Sequence, residues 1–219
     1  MARGWTGRPP PARAPRAHST SRRRAARERS RDERGRPPAV GSDRGLADRE
    51  HAIAALRRPR GRDLSPVELE AFVRELADQP ELWIDRVRHD PTQRVYEELI
   101  SDAHLTAWLI CWIDEQDTGF HDHDTSAGAV AVVGGRVCEE RLAIGRKPST
   151  RTFGVGDAFY FTAADIHRVH HSGVDPAVSL HVYSPPLARM GAYSIDEHGV
   201  LVRHTIAPSE ELRPLAEVA

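Results

Sequence analysis

The sequence predicts a mainly β protein, an antiparallel sandwich or small barrel preceded by a few α-helices. Three observations predict it. From Leu105 onward, apolar residues recur at period two or in short runs: "LTAWLICWID", "AVAVVGGRVCEERLAI", "DAFYFTA", "AVSLHVYS" and "VLVRHTI". Gly134, Gly135, Gly154, Gly156, Gly173 and Gly191 punctuate those runs as turn residues. Many short strands with glycine turns over about 100 residues are the pattern of a sandwich or small barrel. Neither a strand-GxGxxG-helix unit nor a phosphate-binding loop occurs, which argues against a nucleotide-binding α/β fold.

Taken in chain order, residues 1–60 are expected to be a disordered Arg/Pro-rich tail and residues 61–219 a single domain. Residues 1–50 carry fourteen Arg against six acidic residues, and the rest of the chain carries seventeen basic against twenty-six acidic, a net of about -9. Such a tail has too few apolar side chains to offset the entropy of ordering it. A basic arm that binds nucleic acid is the alternative, but no aromatic interleaving or recognition motif accompanies the arginines, so no nucleic-acid partner is expected.

In "LSPVELEAFVRELADQP", Ser65 is placed to cap a helix, with Pro66 at its first position and Glu68 completing a capping box. Leu69, Phe72, Val73 and Leu76 then repeat at helical spacing. A second short helical segment, "ELWIDRV", follows. Cys111 and Cys138 lie in apolar, strand-like surroundings without a CxxC pair, which reads as a reducing, cytoplasmic compartment. No apolar run approaches the ~18 residues of a membrane span, and no apolar stretch follows the N-terminal arginines as a signal peptide requires.

The chemistry is concentrated in histidines. In "TGFHDHDTSAGAV", His121 and His123 stand two apart, and in a strand they project to one side while Asp122 projects to the other. "DIHRVHHSG" adds His167, His170 and His171, and "SLHVYSPP" adds His181. One histidine from an opposing strand would complete a three-nitrogen site with open positions, and His167 is the best placed. Three neutral imidazoles favour a borderline divalent ion such as iron, zinc, nickel or copper. The other reading of the His-x-His pair is a solvated edge strand.

"FHDHDTSAGAVAVVGGRV" resembles the first motif of the cupins, and "DIHRVHHSG" with "AVSLHVYSPP" resembles the second half of a cysteine dioxygenase (thiol dioxygenase), over roughly residues 85–200. The resemblance implies a cupin-type antiparallel β-barrel or sandwich and an Fe(II) centre held by His121, His123 and His167. Other cupins place a glutamate ligand four or five residues after the second histidine. Here those positions are Ala127 and Gly128, which fits the narrower family. The resemblance also implies a relay of Ser179, His181 and Tyr183 beside the iron, and a cis Ser184–Pro185 bond that holds Tyr183. Animal members crosslink this tyrosine to a cysteine that corresponds to Gly128, so no thioether is expected. Arg94, in "PTQRVYEELI", matches the family's carboxylate-binding arginine, with Arg168 as competitor. The alternative for Arg94 is a surface helix position paired with Glu97 or Glu98.

What the resemblance implies is a monomeric, iron-dependent dioxygenase whose partners are a small-molecule thiol and O2. L-cysteine would bind through sulfur and nitrogen with Arg94 on its carboxylate, and both oxygen atoms would pass to sulfur, giving cysteine sulfinate. Two rivals stand beside it: a 3-mercaptopropionate dioxygenase, and a metal-free or zinc-bearing cupin that binds a small molecule without catalysis.

Overall fold

The protein is described by a computed structural model over residues 51–53, 55–57, 59, 61–143 and 145–215. The expected tail, residues 1–60, lies outside the described residues except for 51–53, 55–57 and 59. Residues 51–53 are helical, and Leu56 is buried in the same apolar cluster as the helix that follows.

That helix, α1 (Pro66–Ala77), starts where the sequence predicts. Ser65 Oγ accepts from the Glu68 amide and the Ser65 amide donates to Glu68 Oε2 at 2.8 Å, so two of the free amides at the helix start are satisfied. Leu69, Phe72, Val73 and Leu76 form its buried face. The expected second helical segment is two short 3-10 turns, Pro80–Leu82 and Ile84–Arg86. Trp83 Nε1 donates to the carbonyl of Leu76 at 3.2 Å and ties these turns to the end of α1.

The strands form two antiparallel sheets. The first contains β1 (Val95–Ser101), β2 (Thr106–Trp112), β4 (Ala127–Gly134), β7 (Ala158–Phe161) and β9 (Ala177–Ser184), in the order β1-β2-β9-β4-β7. The second contains β3 (His121–Asp122), β5 (Arg136–Arg141), β6 (Ser149–Gly154), β8 (His167–His171), β10 (Met190–Ile195) and β11 (Leu201–Ile206), in the order β11-β10-β3-β8-β5-β6. This is the mainly β sandwich that the sequence predicts.

Residues 95–101 are a strand, which overturns the helical alternative for Arg94. A register shift between Glu98 and Ile100 makes Leu99 and Ile100 consecutive buried residues, so period two is broken where the sequence would have shown it.

Alternation along the strands divides the core. On β9, Val178, Leu180 and Val182 join the cluster of α1, together with Ala129 and Ala131 of β4 and Leu109 of β2. Ala177 and Tyr183 belong instead to the cluster between the sheets, with Trp112, Val130, Val132, Phe159 and Phe161 from the first sheet and Val137, Phe153 and Val169 from the second. Strand β9 is therefore buried on both faces along its whole length. One face builds the helix-covered core and the other looks across the sandwich.

Phe72 is almost fully buried beneath this sheet. Phe72→Ala is expected to lower stability by about 3–5 kcal/mol in urea denaturation, whereas Val67→Ala, on the exposed side of the same helix, should change it by no more than about 0.5 kcal/mol.

Candidate metal centre

His121 and His167 are directly opposed residues of the β3–β8 ladder, and His123 follows one residue beyond the end of β3. All three are buried, and their ligating nitrogens lie within 4.8 Å of one another. The ring centroids are 4.7 Å apart for His121–His167, 4.8 Å for His121–His123 and 5.2 Å for His123–His167.

Two of the rings are oriented by acceptors that can only accept. His121 Nδ1 donates to the Gly119 carbonyl at 3.0 Å, and His167 Nδ1 donates to Glu139 Oε1 at 2.9 Å. Each tautomer thereby leaves Nε2 as a free lone pair. His123 Nδ1 is buried with no hydrogen-bond partner among the described residues. Burial is the main reason all three stay uncharged: it lowers His121 to about 4, opposed by the Gly119 carbonyl, and it holds His123 and His167 well below the usual histidine range, helped by the neighbouring imidazoles. Three converging neutral nitrogen donors, with one buried ring nitrogen left without a partner among the described residues, fit a divalent transition ion.

Both candidate carboxylates beside the histidines are turned away. Asp122 accepts from Arg203 Nε at 2.6 Å, Arg203 Nη2 at 2.8 Å and Tyr193 Oη at 2.7 Å. Burial would raise its pKa, but these donors hold it well below the usual carboxylate range. Asp124 accepts from Arg189 at 2.9 Å.

Arg94 and Arg168, the two candidates for a carboxylate anchor, occupy different sides. Arg168 lies on the outer face of β8 and pairs with both oxygens of Asp117, so it buttresses the segment that leads to His121. Arg94 is 6% exposed and lines a cavity of about 70 Å³ together with His121, His123, His167, His181 and Tyr183. Its Nη1 donates to the Asp117 carbonyl at 3.1 Å and its Nη2 to the Leu212 carbonyl at 2.6 Å, which leaves further N–H donors of the guanidinium uncommitted. Burial lowers its pKa, offset by Glu211 and Asp117. Gly119 sits at φ 67°, and a side chain there would strike the backbone of Pro214, so the turn that aims His121 also receives the C-terminal segment.

From the first sheet, Ser179, His181 and Tyr183 come to the same face. Ser179 Oγ lies 2.8 Å from His181 Nε2, and His181 Nδ1 lies 3.4 Å from Tyr183 Oη. Burial lowers His181 to about 3 and pushes the Tyr183 phenol well above its ordinary value, so both are neutral near pH 7. The Ser184–Pro185 bond is cis. Gly128 is paired laterally with Phe161 on one side and Tyr183 on the other. A side chain at 128 would overlap the Phe161 ring, which stacks on His123 at 4.5 Å. A phenylalanine thus fills the space beside Tyr183.

Several residues of the site escaped the sequence reading. Glu139 shares the inward phase of β5 with Val137, so an acidic residue in an apolar phase was the available signal. Trp112, whose Nε1 donates to Ser179 Oγ at 2.8 Å, reads as core by every local criterion. Pro208, Glu210 and Leu212 line the cavity from a segment with no regular pattern.

The fold and the site define a class, β-sandwich proteins with a buried cluster of three histidines that could hold a metal ion. Within it, the chain belongs to the cysteine dioxygenase type I family, whose sequence profile matches residues 39–196. It is 24% identical over 144 residues to the cysteine dioxygenase type 1 of Bos taurus, covering 61% of this chain and 72% of the bovine one. Among solved structures, it is similar to a conserved protein of Klebsiella pneumoniae with a double-stranded beta-helix domain: TM-score 0.44, 16% identity, 49% of this chain and 84% of that one. A cupin superfamily protein of Desulfitobacterium hafniense gives TM-score 0.41 at 11% identity, over 47% of this chain and 87% of that one. No described helix is long and apolar enough to cross a membrane.

Glu139→Gln keeps the shape but removes the charge that holds the His167 Nδ1 proton, and metal affinity measured by calorimetry should fall about tenfold or more. The buried histidines also set the acid limit of the metal-free protein. His121 and His181 titrate lower when folded than when unfolded, so the unfolded chain binds more protons at acid pH. Their contribution is intact above about 6.5 and is lost as pH falls toward about 4 and then 3. Thermal melts of metal-free protein should show the midpoint dropping across that window, and bound metal should move the drop to lower pH.

Proposed function

We propose that this protein is an Fe(II)-dependent thiol dioxygenase that oxidises L-cysteine to cysteine sulfinate with O2. The observation that carries the reading is the donor set: three neutral imidazoles, with no carboxylate joining them among the described residues, opening on a small cavity that also contains a buried arginine. The family supports the reaction class. In this reading His121, His123 and His167 hold the ion. Bound there, Fe(II) would stabilise the thiolate at neutral pH and would supply the redox chemistry by which both atoms of dioxygen are added to sulfur.

The chain's own residues do the rest. Arg94 takes the substrate carboxylate with its uncommitted N–H groups, and its burial makes that ion pair strong because water does not compete. Ile110, Val169, Leu187, Met190 and Leu212 line the cavity and exclude water. Tyr183 remains a phenol, hence a hydrogen-bond donor, because burial resists its ionisation. His181 and Ser179 orient it.

A second reading, 3-mercaptopropionate as substrate, is favoured by one feature. Among the described residues that line the cavity, the only carboxylate is Glu210, and its Oε1 accepts from the Ala207 amide at 3.0 Å. The protein therefore offers the cysteine ammonium little of its own.

Anaerobic reconstitution with Fe(II), followed by oxygen uptake and product identification with each thiol, tests both. L-cysteine should consume one O2 per sulfinate formed, with iron near one per chain. His167→Ala should abolish uptake, and Arg94→Lys should raise KM about tenfold or more by losing the planar fork. Higher kcat/KM with 3-mercaptopropionate transfers the assignment to that thiol; no uptake with either sinks the dioxygenase reading in favour of a binding module.

A further inference from the structure

Trp112 stands at the far end of the chain of hydrogen bonds that reaches Tyr183, on the inner face of β2 and with no exposed surface. An indole nitrogen can only donate. Its contact with Ser179 Oγ at 2.8 Å therefore occupies a lone pair of that hydroxyl. Among the described residues, the other partner of the fully buried Ser179 Oγ is His181 Nε2, also at 2.8 Å.

These two contacts decide where protons can sit. The Ser179 hydroxyl has one proton, and with Trp112 on its acceptor side the remaining partner for that proton is His181 Nε2. Nε2 then carries the lone pair, and the single proton of the neutral imidazole sits on Nδ1. From there it is directed at Tyr183 Oη, 3.4 Å away. The phenol accepts on that side, and its own proton turns to the cavity it lines. The reverse chain, with Tyr183 donating to Nδ1 and Nε2–H donating to Ser179, leaves a buried serine proton without an acceptor, which is the costly arrangement.

We propose that Trp112 is a positioning residue that sets the direction of the chain Ser179–His181–Tyr183, so that the Tyr183 hydroxyl donates into the cavity. Resting on the dioxygenase reading, the same residue has a second duty. Its ring carries the Arg94 guanidinium, with Cζ 4.9 Å from the ring centroid, so one indole supports both the carboxylate anchor and the donor. The two duties are separable, because the N–H serves the relay and the π face serves Arg94. Phenylalanine keeps the face and loses the N–H.

The test is ¹⁵N NMR of histidine-labelled full-length protein loaded with Zn(II), a diamagnetic probe, with His181 assigned from the His181→Gln spectrum. The wild type should show a pyridine-type Nε2 and a protonated Nδ1 at His181, and Trp112→Phe should show a mixture of tautomers. With Fe(II) and L-cysteine, Trp112→Phe should lower kcat about tenfold while KM stays within about twofold. A protonated Nε2 in the wild type overturns the proposal, as does an unchanged tautomer in folded Trp112→Phe, or a kcat unchanged despite a shifted tautomer. Should that variant not fold, the wild-type spectrum alone decides the direction. Loss of all oxygen uptake in the wild type with the expected tautomer present would refute the dioxygenase reading and leave the direction of the chain standing.

Discussion

Three imidazoles buried around one point are the constraint on which the rest of this structure depends. Removing them from water keeps them neutral, and neutrality lets them converge without repulsion and offer lone pairs. Convergence has a structural requirement as well, since a ring that may rotate offers its nitrogen to nothing in particular. The Gly119 carbonyl and the Glu139 carboxylate meet that requirement for His121 and His167, each binding the ring proton on the side away from the cluster. Glu139 is held in turn by Arg141 at 2.7 Å, so a single buried negative charge is paired on two sides.

The segment from Asp117 to His123 ties this cluster to the cavity's cation. The Asp117 carbonyl accepts from Arg94, the Asp117 carboxylate is clamped by Arg168, and the same carboxylate accepts from the Gly119 amide at 2.7 Å. Gly119 then orients His121. A shift in any of these contacts moves both the nitrogen donor and the guanidinium, so the distance between the two is a property of one short turn. Strand β9 performs the complementary task from the opposite sheet. Its outward residues are locked into the core under α1, and that anchoring fixes the phase in which Ser179, His181 and Tyr183 face inward.

Much of this was legible before any fold was known. Leu69, Phe72, Val73 and Leu76 form the buried face of α1 because 3.6-residue periodicity is local. His121 and His123 fall on one side, as do Ser179, His181 and Tyr183, because strand alternation is local too. Strand β1 was hidden because its bulge places Leu99 and Ile100 side by side. Strand β3 is only two residues long, and His123 reaches the cluster from beyond its end. Trp112 and Phe161 were missed because their roles depend on partners that only the fold brings near, Ser179 for the indole and His123 for the phenyl ring, while Glu139, whose partner is His167, left only the local signal of an acidic residue in an apolar phase.

By itself, then, the sequence determined the periods, the side of each strand on which chemistry-bearing residues stand, and the absence of a carboxylate four or five residues after the second histidine, where Ala127 and Gly128 stand. Motif and resemblance pointed to His167 as the third member of the cluster, and the tertiary structure supplies the reason that it, and not a neighbouring histidine, stands there. The antiparallel register sets His167 opposite His121, while His170 faces outward and His171 lies on the same face but further along the strand, held to the Asp175 carbonyl. It also decided that Arg94 faces the cavity and Arg168 does not. The physical reason is that face is set by the backbone's own repeat, whereas neighbours across a ladder or a sandwich are set by register and packing between segments far apart in the chain.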